Sequence, residues 1–226
     1  MIDVKFKTAV MAPSKGEFGE ILKKQFDWRN GLKYDGENEI VFADIKENVW
    51  WNRPLNSDVF VKQEEDGLWS YNLPLAWRQE SVAWKANYNV LLNKDNLPVA
   101  GMIKINRHWT VDDFTKLKRL LIDGVYNALL KLGVSKDKLQ QPGNDILYEG
   151  KKFFGIETII KDGWFSINCF ITLKYKPAKE VFDRLSGHFV KYKSITGIME
   201  ETELFTKEEF IEALTKELQS ILATIE

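Results

Sequence analysis

One short stretch in the second half of the chain holds residue types that bind charged ligands. Asn144 and Asp145 follow Pro142-Gly143, and Lys152 precedes Gly155 by three residues. Carboxylate and amide oxygens are suitable ligands for Mg²⁺, and a fixed ammonium group stabilises negative charge that develops in a reaction. A simpler interpretation is equally open: Asn and Asp commonly close turns, and a lysine beside a turn is commonly a solvated surface residue.

Two tight turns must position this stretch. Glu149-Gly150 and Asp162-Gly163 each lie between runs rich in Ile, Phe, Thr and Tyr. Such pairs between such runs are typical of type I′ hairpin turns, in which both central residues need φ > 0. The pattern predicts a meander of three antiparallel strands. Lys152 lies just past the first turn, where a rigid strand can orient its side chain.

The third of these strands alternates apolar and polar residues. Alternation of period two with one apolar face is typical of a strand that is buried on one face only. We therefore expect one of its faces to pack on the core and the other to stay uncovered. The core-facing set is Phe165, Ile167, Cys169, Ile171 and Leu173, and the opposite set is Ser166, Asn168, Thr172 and Lys174.

The remaining patterns predict helices and further strands. Thr110 with Asp113, and Thr206 with Glu209, form capping boxes ahead of apolar residues spaced by threes and fours. These elements indicate an α+β fold, a mixed and largely antiparallel sheet with packed helices, in a single domain of residues 1–226. The other expected elements are strands 4–10 and 39–45, helices 16–26 and 177–185, and strands 59–62, 69–73 and 82–92 of one sheet.

The composition excludes several classes of protein. The 226 residues are 44% hydrophobic and 29% charged, with a net charge of −1. This nearly balanced charge argues against non-specific binding of nucleic acid, and the single cysteine excludes a disulfide framework. No apolar run approaches the roughly 20 residues that span a bilayer, and the first residues lack the apolar core of a signal peptide. We expect a cytoplasmic protein that binds neither nucleic acid nor membranes.

The stretch around Lys152 resembles a motif of the lipoate–protein ligases and the wider biotin/lipoate ligase superfamily. In that motif Gly-Arg-Asn-Asp precedes, after a short interval, Gly-x-Lys-(apolar)-Ser-Gly. Gly143 stands at the arginine position, Asn144-Asp145 match Asn-Asp, and Lys152-Phe153-Phe154-Gly155 match Lys-x-x-Gly. Downstream, Val181 to Glu201 is similar to a family segment in which a short helix leads into a Ser/Thr turn.

A second family signature, Arg-Arg-x-Ser-Gly-Gly-Gly, matches more sparsely. Arg78 and Ser81 take its arginine and serine positions, and Asn87 matches a following Gly-Asn strand. Bulky Val82 and Trp84 stand where the family has glycines. The resemblance covers residues 86–226 by the order and type of elements, and it implies a catalytic domain with the biotin/lipoate ligase fold.

The resemblance also implies an activity. Such an enzyme uses ATP and Mg²⁺ to activate lipoate, or a related acid, as the acyl-AMP, here lipoyl-AMP. It then transfers the acyl group to a lysine of a small lipoyl-acceptor domain. Lys152 would be catalytic, contacting the acyl carboxylate and the adenylate phosphate, and Asp145 would bind Mg²⁺. The implied substrate- and nucleotide-binding residues are Arg78, Ser81, Asn87, Asn144, Asp145 and Gly155.

Many ligases of this kind carry a small C-terminal domain that closes over the adenylate. We expect this protein to have no such accessory C-terminal domain. We therefore expect either a separate accessory chain or the use of preformed lipoyl-AMP.

Two other functions stay open. The missing glycines favour a catalytically inactive superfamily member that binds a lipoyl domain or another ligand. A tryptophan cluster could bind a flat ligand such as a sugar, although aromatic residues at this density more commonly fill a core. That cluster comprises Trp50, Trp51, Trp69, Trp77 and Trp84.

The cysteine and the two histidines are the other residues whose chemistry could serve catalysis. Relatives that transfer acyl groups without ATP use a nucleophilic cysteine, but Cys169 lies among apolar residues and is expected to be inert. His108 and His188 have no ligand-spaced neighbours, so we predict neither a metal site nor a catalytic triad around them.

Overall fold

A computed structural model of the protein describes residues 2–11, 17–46, 49–52, 61–63, 69–72, 89–92, 96–174 and 194–225. The strands are β1 (Lys5–Met11), β2 (Glu39–Ile45), β3 (Val49–Asn52), β4 (Val61–Gln63), β5 (Trp69–Asn72), β6 (Asn89–Leu92), β7 (Leu97–Lys104), β8 (Leu139–Gln140), β9 (Asp145–Tyr148), β10 (Lys151–Lys161), β11 (Trp164–Ile171) and β12 (Ser194–Ile195). The helices are α1 (Glu17–Arg29), α2 (Val111–Lys131), α3 (Ile198–Glu201) and α4 (Lys207–Leu222), and a short 3₁₀ helix spans Lys136–Lys138.

The main sheet has eight strands in the order β1-β2-β7-β11-β10-β9-β8, with β12 paired to β10. The β1–β2 and β10–β12 pairs are parallel, and the other pairs are antiparallel. The prediction of a mixed, largely antiparallel sheet with packed helices is confirmed. Strand β7 was not predicted, because seven of its eight residues are buried and it lacks the period-two alternation of a half-exposed strand.

Strands β9, β10 and β11 form the predicted antiparallel meander. Both central residues of each turn have positive φ, 48° and 84° at Glu149 and Gly150, and 48° and 76° at Asp162 and Gly163. These values confirm the type I′ turns. The first turn places Lys152 in the second residue of β10, next to the strand that begins with Asp145.

Helices α2 and α4 pack on one face of the main sheet and form the larger core with it. Both predicted capping boxes are present, Thr110 with Asp113 ahead of α2 and Thr206 with Glu209 ahead of α4. The two helices contact each other closely at Gly124, where an added Cβ would lie 2.6 Å from Cδ2 of Leu218.

Helix α1 covers part of the opposite face of the main sheet. Phe18 and Leu22 pack there on Val41 of β2 and on other apolar residues of β1 and β7. The prediction that β11 is buried on one face only is therefore wrong. Its apolar residues lie in the core as expected, but three of the four polar residues are covered as well, with exposures of 0% at Ser166, 6% at Asn168 and 3% at Thr172, while Lys174 is exposed as expected.

Strands β4, β5, β3 and β6 form a second sheet in that order, so the strands expected to share one sheet do so. Residues 82–88 of the longest expected strand, and the expected helix 177–185, lie outside the described residues. The single-domain boundary stays a prediction. Within the described parts of the chain, no helix combines the length and apolar character needed to cross a membrane.

Candidate functional site

Lys152 and Asp145 form an ion pair at the start of β10. Nζ of Lys152 lies 2.8 Å from Oδ1 of Asp145, and the two side chains are only 20% and 18% exposed. The pair is partly shielded from solvent, where a charge interaction is stronger than at an open surface. The alternative interpretation of Lys152 as a solvated surface residue does not fit this position, because its ammonium group pairs with a carboxylate of the neighbouring strand.

Gly155 provides the space that this ion pair occupies. A Cβ at this position would lie 2.9 Å from Nζ of Lys152 and 3.1 Å from Oδ1 of Asp145. Gly155 pairs directly with Asp145 across the β9–β10 ladder. Three predicted site residues thus meet at one point, and the glycine is needed there for its small size.

A β-bulge explains how Lys152 and Gly155 come to share one face of the sheet. In a regular strand, residues three apart point to opposite faces. The β9–β10 register shifts between Lys152 and Phe154, so Phe153 is an extra residue in the ladder. Both Phe153 and Phe154 are buried in the larger core, at 1% and 0% exposure. The bulge therefore turns two consecutive phenylalanines inward and places Lys152 and Gly155 together on the other face.

The remaining predicted site residues are placed differently. The side chain of Asn144 is exposed, while its backbone carbonyl accepts a 3.3 Å hydrogen bond from the Ile156 amide. A turn does precede Asp145, whose amide donates to the Pro142 carbonyl at 3.3 Å, with Gly143 at φ 64°. The other predicted binding residues, Arg78, Ser81 and Asn87, lie outside the described residues, as do Trp77, Trp84 and His188.

A cluster of charged and polar side chains, which the sequence did not predict, adjoins the backbone of Lys152. Nζ of Lys151 donates to both carboxylate oxygens of Glu201, at 2.7 and 2.8 Å, and Oγ1 of Thr196 donates to the nearer one at 2.7 Å. The Thr196 amide donates to the Lys152 carbonyl at 2.9 Å. Lys151 and Glu201 are 50 positions apart, so no local pattern could have joined them.

A second unpredicted cluster is polar and lies between α1 and β11. Gln25 is fully buried and donates through Nε2 to the Gly101 carbonyl at 2.9 Å. Arg29 donates to Oγ of Ser166 at 3.4 Å and lies 4.0 Å from the carboxylate of Glu157. Glu157 follows Gly155 by two residues, so this cluster continues on the same face of the sheet as the Lys152–Asp145 pair. It explains why the polar side of β11 is covered.

Comparisons with known proteins concern the fold. No family model and no curated protein sequence matches this chain. A bi-partite lipoate protein ligase from Thermoplasma acidophilum superimposes with a TM-score of 0.62 at 12% identity, over 99% of this chain and 85% of that one. Lipoate-protein ligase A bound with ATP gives 0.58 at 12% identity, over 97% and 86%. Biotin protein ligase from Aquifex aeolicus gives 0.50 at 12% identity, over 99% and 70%. The chain has the biotin/lipoate ligase fold.

Cys169 is not a nucleophile candidate within this ligase fold. It lies in the middle of β11, 4% exposed, between the neighbouring strands β7 and β10. Burial raises the pKa of the Cys169 thiol well above its ordinary value. Because the thiolate is the reactive form, the expectation that this residue is inert agrees with its position.

The burial of Cys169 leads to a test of the packing of β11. At about pH 8, near the ordinary thiol pKa, iodoacetamide is expected to leave the folded protein unmodified and to alkylate the urea-unfolded chain fully, as measured by mass spectrometry. Since the folded state holds this proton more tightly than the unfolded state, the contribution of the thiol to stability is lost as the pH rises above that value. Rapid alkylation of the folded protein would contradict the buried position.

Among the described residues, the carboxylate of Asp145 lies beside Lys152. Within these parts of the chain, no group of three or more His, Cys, Asp or Glu side chains could hold a metal ion alone. Mg²⁺ that accompanies a nucleotide commonly needs only one or two protein carboxylates, because phosphate and water oxygens complete its shell. Asp145 fits that smaller requirement, while His108, in an exposed turn, has no place in it.

Proposed function

We propose that this protein is a lipoate–protein ligase-like acyltransferase. It would activate lipoate or a related acid as the acyl-AMP and transfer the acyl group to a lysine of a small acceptor domain. The observation that supports this most directly is the meeting of Lys152, Asp145 and Gly155 at one partly buried point of a sheet with the biotin/lipoate ligase fold.

The chemistry of activation gives the ammonium group of Lys152 its role. Attack of a carboxylate on the α-phosphate of ATP brings two anions together, forms an acyl–phosphate bond and releases pyrophosphate. A fixed cation between the two anions offsets their repulsion and stabilises the charge of the transition state. Lys152 is suited to this position, since β10 holds its backbone and the absence of a side chain at Gly155 gives its ammonium group the space in which it meets Asp145.

Asp145 would have two roles in this proposal. Without ligand, its carboxylate neutralises Lys152, so that neither partly buried charge is left alone. With ATP, Mg²⁺ would supply charge neutralisation at the phosphates, and Asp145 is the described carboxylate beside Lys152 that could hold it. Lys152 would then exchange the carboxylate of Asp145 for the anionic groups of the substrate.

The comparison structures support the choice of partners. The Thermoplasma ligase is described as bi-partite and was studied with its E2 lipoyl domain, and lipoate-protein ligase A was solved with ATP. We infer that this chain also accepts a lipoyl domain, and that it works either with a separate accessory chain or with preformed lipoyl-AMP.

Titration calorimetry with lipoyl-AMP tests the proposal. Lys152→Ala is expected to weaken binding by about 2 kcal/mol or more, the scale of a hydrogen bond to a charged group. The matched control is Lys131→Ala, which removes a lysine that also pairs with a little-exposed carboxylate, Glu217, but on the helices. The control should bind as the unchanged protein does, and both variants should keep their melting temperatures within a few degrees.

The outcomes separate the candidate functions. Lipoyl-AMP binding that depends on Lys152, followed by acyl transfer to a lipoyl domain, would support the ligase. Lipoyl-AMP binding that depends on Lys152, without acyl transfer to a lipoyl domain, would favour an inactive superfamily member that binds a lipoyl domain or another ligand. No binding of lipoyl-AMP, lipoate or ATP·Mg²⁺ to the unchanged protein would refute the adenylate site.

A further inference from the structure

The backbone of Lys152 has an irregular set of neighbours. On its β9 side, the bulge at Phe153 interrupts the ladder immediately after Lys152. On its other side, β12 pairs with β10 through only two residue pairs, Lys151 with Ser194 and Lys152 with Ile195. A bulge bends and loosens the strand that contains it. The orientation of Lys152 therefore depends strongly on what holds the segment that follows β12.

That segment is held by the amides of Ile198 and Met199, which donate to the Thr172 and Leu173 carbonyls, and by the side chain of Glu201, the last residue of α3. Its carboxylate accepts a hydrogen bond from Thr196 and two from Lys151, and its side chain is only 18% exposed. The Thr196 amide in turn donates to the Lys152 carbonyl. These hydrogen bonds run from Lys151 through Glu201 and Thr196 to the backbone of Lys152, and the chain between Lys152 and Lys151 closes the ring, which we call the Glu201 clamp.

The charges of Glu201 and Lys151 strengthen the hydrogen bonds of the Glu201 clamp. Each of its three side-chain hydrogen bonds involves the carboxylate, and bonds to an ionised group are shorter and stronger than bonds between neutral groups. Since the ion pair is partly buried, it is also less screened by salt than a surface pair. The clamp acts on the β12 side of β10, opposite the β9 side, where the bulge interrupts the ladder.

We propose that Glu201 is a positioning residue for Lys152. It holds Thr196, and through Thr196 the backbone of Lys152, so that the ammonium group stays above Gly155. For its ligand-binding test this inference rests on the proposed function, but the geometry of the clamp can be tested without any ligand.

NMR spectroscopy of the ligand-free protein provides the first test. Glu201→Gln keeps the size of the side chain and removes its charge. We expect the Thr196 amide to exchange with solvent about tenfold faster, which corresponds to about 1.4 kcal/mol of lost protection. We also expect the ¹⁵N resonance of the Lys152 ammonium group, assigned by its absence in Lys152→Ala, to shift. Faster exchange at Thr196 with an unchanged Lys152 resonance would show a merely structural role and overturn the proposal.

A double-mutant cycle with lipoyl-AMP provides the second test. Glu201→Gln should weaken binding about tenfold in the unchanged protein and should have no further effect in Lys152→Ala, because a positioning residue acts only through the group it positions. Equal effects in both backgrounds would overturn the proposal. If lipoyl-AMP does not bind at all, the proposed function fails, while the resonance of Lys152 still decides whether Glu201 positions it.

A matched control and a rescue complete the design. Glu217→Gln removes a carboxylate that is also little exposed and paired with a lysine, Lys131, but lies between α2 and α4. It should leave the Thr196 exchange rate and the Lys152 resonance unchanged.

Thr196→Ser keeps the hydroxyl group and should keep the clamp, whereas Thr196→Val keeps the shape but loses the hydroxyl donor. The valine variant should therefore reproduce the effect of Glu201→Gln, and equal behaviour of the two Thr196 variants would count against the clamp.

Discussion

Valine at position 155 is expected to abolish lipoyl-AMP binding while the protein stays folded. The Cβ alone would lie 2.9 Å from Nζ of Lys152 and 3.1 Å from Oδ1 of Asp145, and the two further methyl groups of valine would push both charged groups away from their present positions. Losing two charged contacts at once corresponds to about 3 kcal/mol or more, which is over a hundredfold in affinity. Titration calorimetry measures this loss, and Gly155→Ala should give a smaller loss in the same direction.

The stability of the Gly155 variants separates a site effect from misfolding. The atoms that the new Cβ would meet are the ends of two flexible side chains, which can move aside, and Gly155 is not among the glycines with positive φ. Valine also suits a strand better than glycine does. We therefore expect a melting temperature near that of the unchanged protein. Undiminished binding by Gly155→Val would show that the ligand site lies elsewhere.

Gly124→Ala is the contrasting control. Its Cβ would lie 2.6 Å from Cδ2 of Leu218, inside the contact between α2 and α4. Overpacking of this kind typically costs about 1–3 kcal/mol of stability. This variant should melt at a lower temperature and still bind lipoyl-AMP normally below that temperature. We therefore expect Gly155→Val to lose binding and keep its stability, and Gly124→Ala to lose stability and keep its binding.

Phe154→Ala is expected to cause the largest loss of stability. Phe154 is 0% exposed and lies in the larger core, beside the bulge that places Lys152. Truncating a fully buried phenylalanine costs about 3–5 kcal/mol, since apolar contacts are lost and a cavity is left. For a chain of this length the melting temperature should fall by about 6–20 °C. Calorimetric or circular-dichroism melting measures the change.

Ile160→Ala on the same strand is the control for Phe154→Ala. Ile160 is 44% exposed, so truncation removes few contacts and should cost well under the loss at Phe154. Similar losses at the two positions would mean that β10 does not face the core as described. Both variants should bind lipoyl-AMP at a temperature where they are folded, because neither changes a charged group of the site.

Local patterns predicted the turns and the capped helices correctly. Glu149-Gly150 and Asp162-Gly163 need only their own backbone conformation to form type I′ turns, and Thr110 needs only Asp113, three residues away, to cap α2. The apolar face of β11 followed from alternation alone. Each of these features depends on residues that are close in sequence, so the local sequence is sufficient to determine it.

Burial on the second face of the sheet depended on tertiary structure. Strand β7 and the polar side of β11 lie beneath α1, and Gln25 bonds to Gly101 from 76 positions away. A helix that covers a sheet from so far away leaves no periodic signal in the strands that it covers. This is the reason why β7 was missed and why the polar residues of β11 were expected to be uncovered.

The candidate site was determined partly by the local sequence and partly by the tertiary structure. The sequence alone named Lys152, Asp145 and Gly155 through their resemblance to a ligase motif, and it determined the hairpin that carries them. Only the folded chain could show that they meet, since a spacing of three residues would separate Lys152 and Gly155 in a regular strand and a bulge at Phe153 joins them. Only the folded chain could bring Glu201 to Lys151, because a contact across 50 positions depends on how the whole sheet and its helices pack.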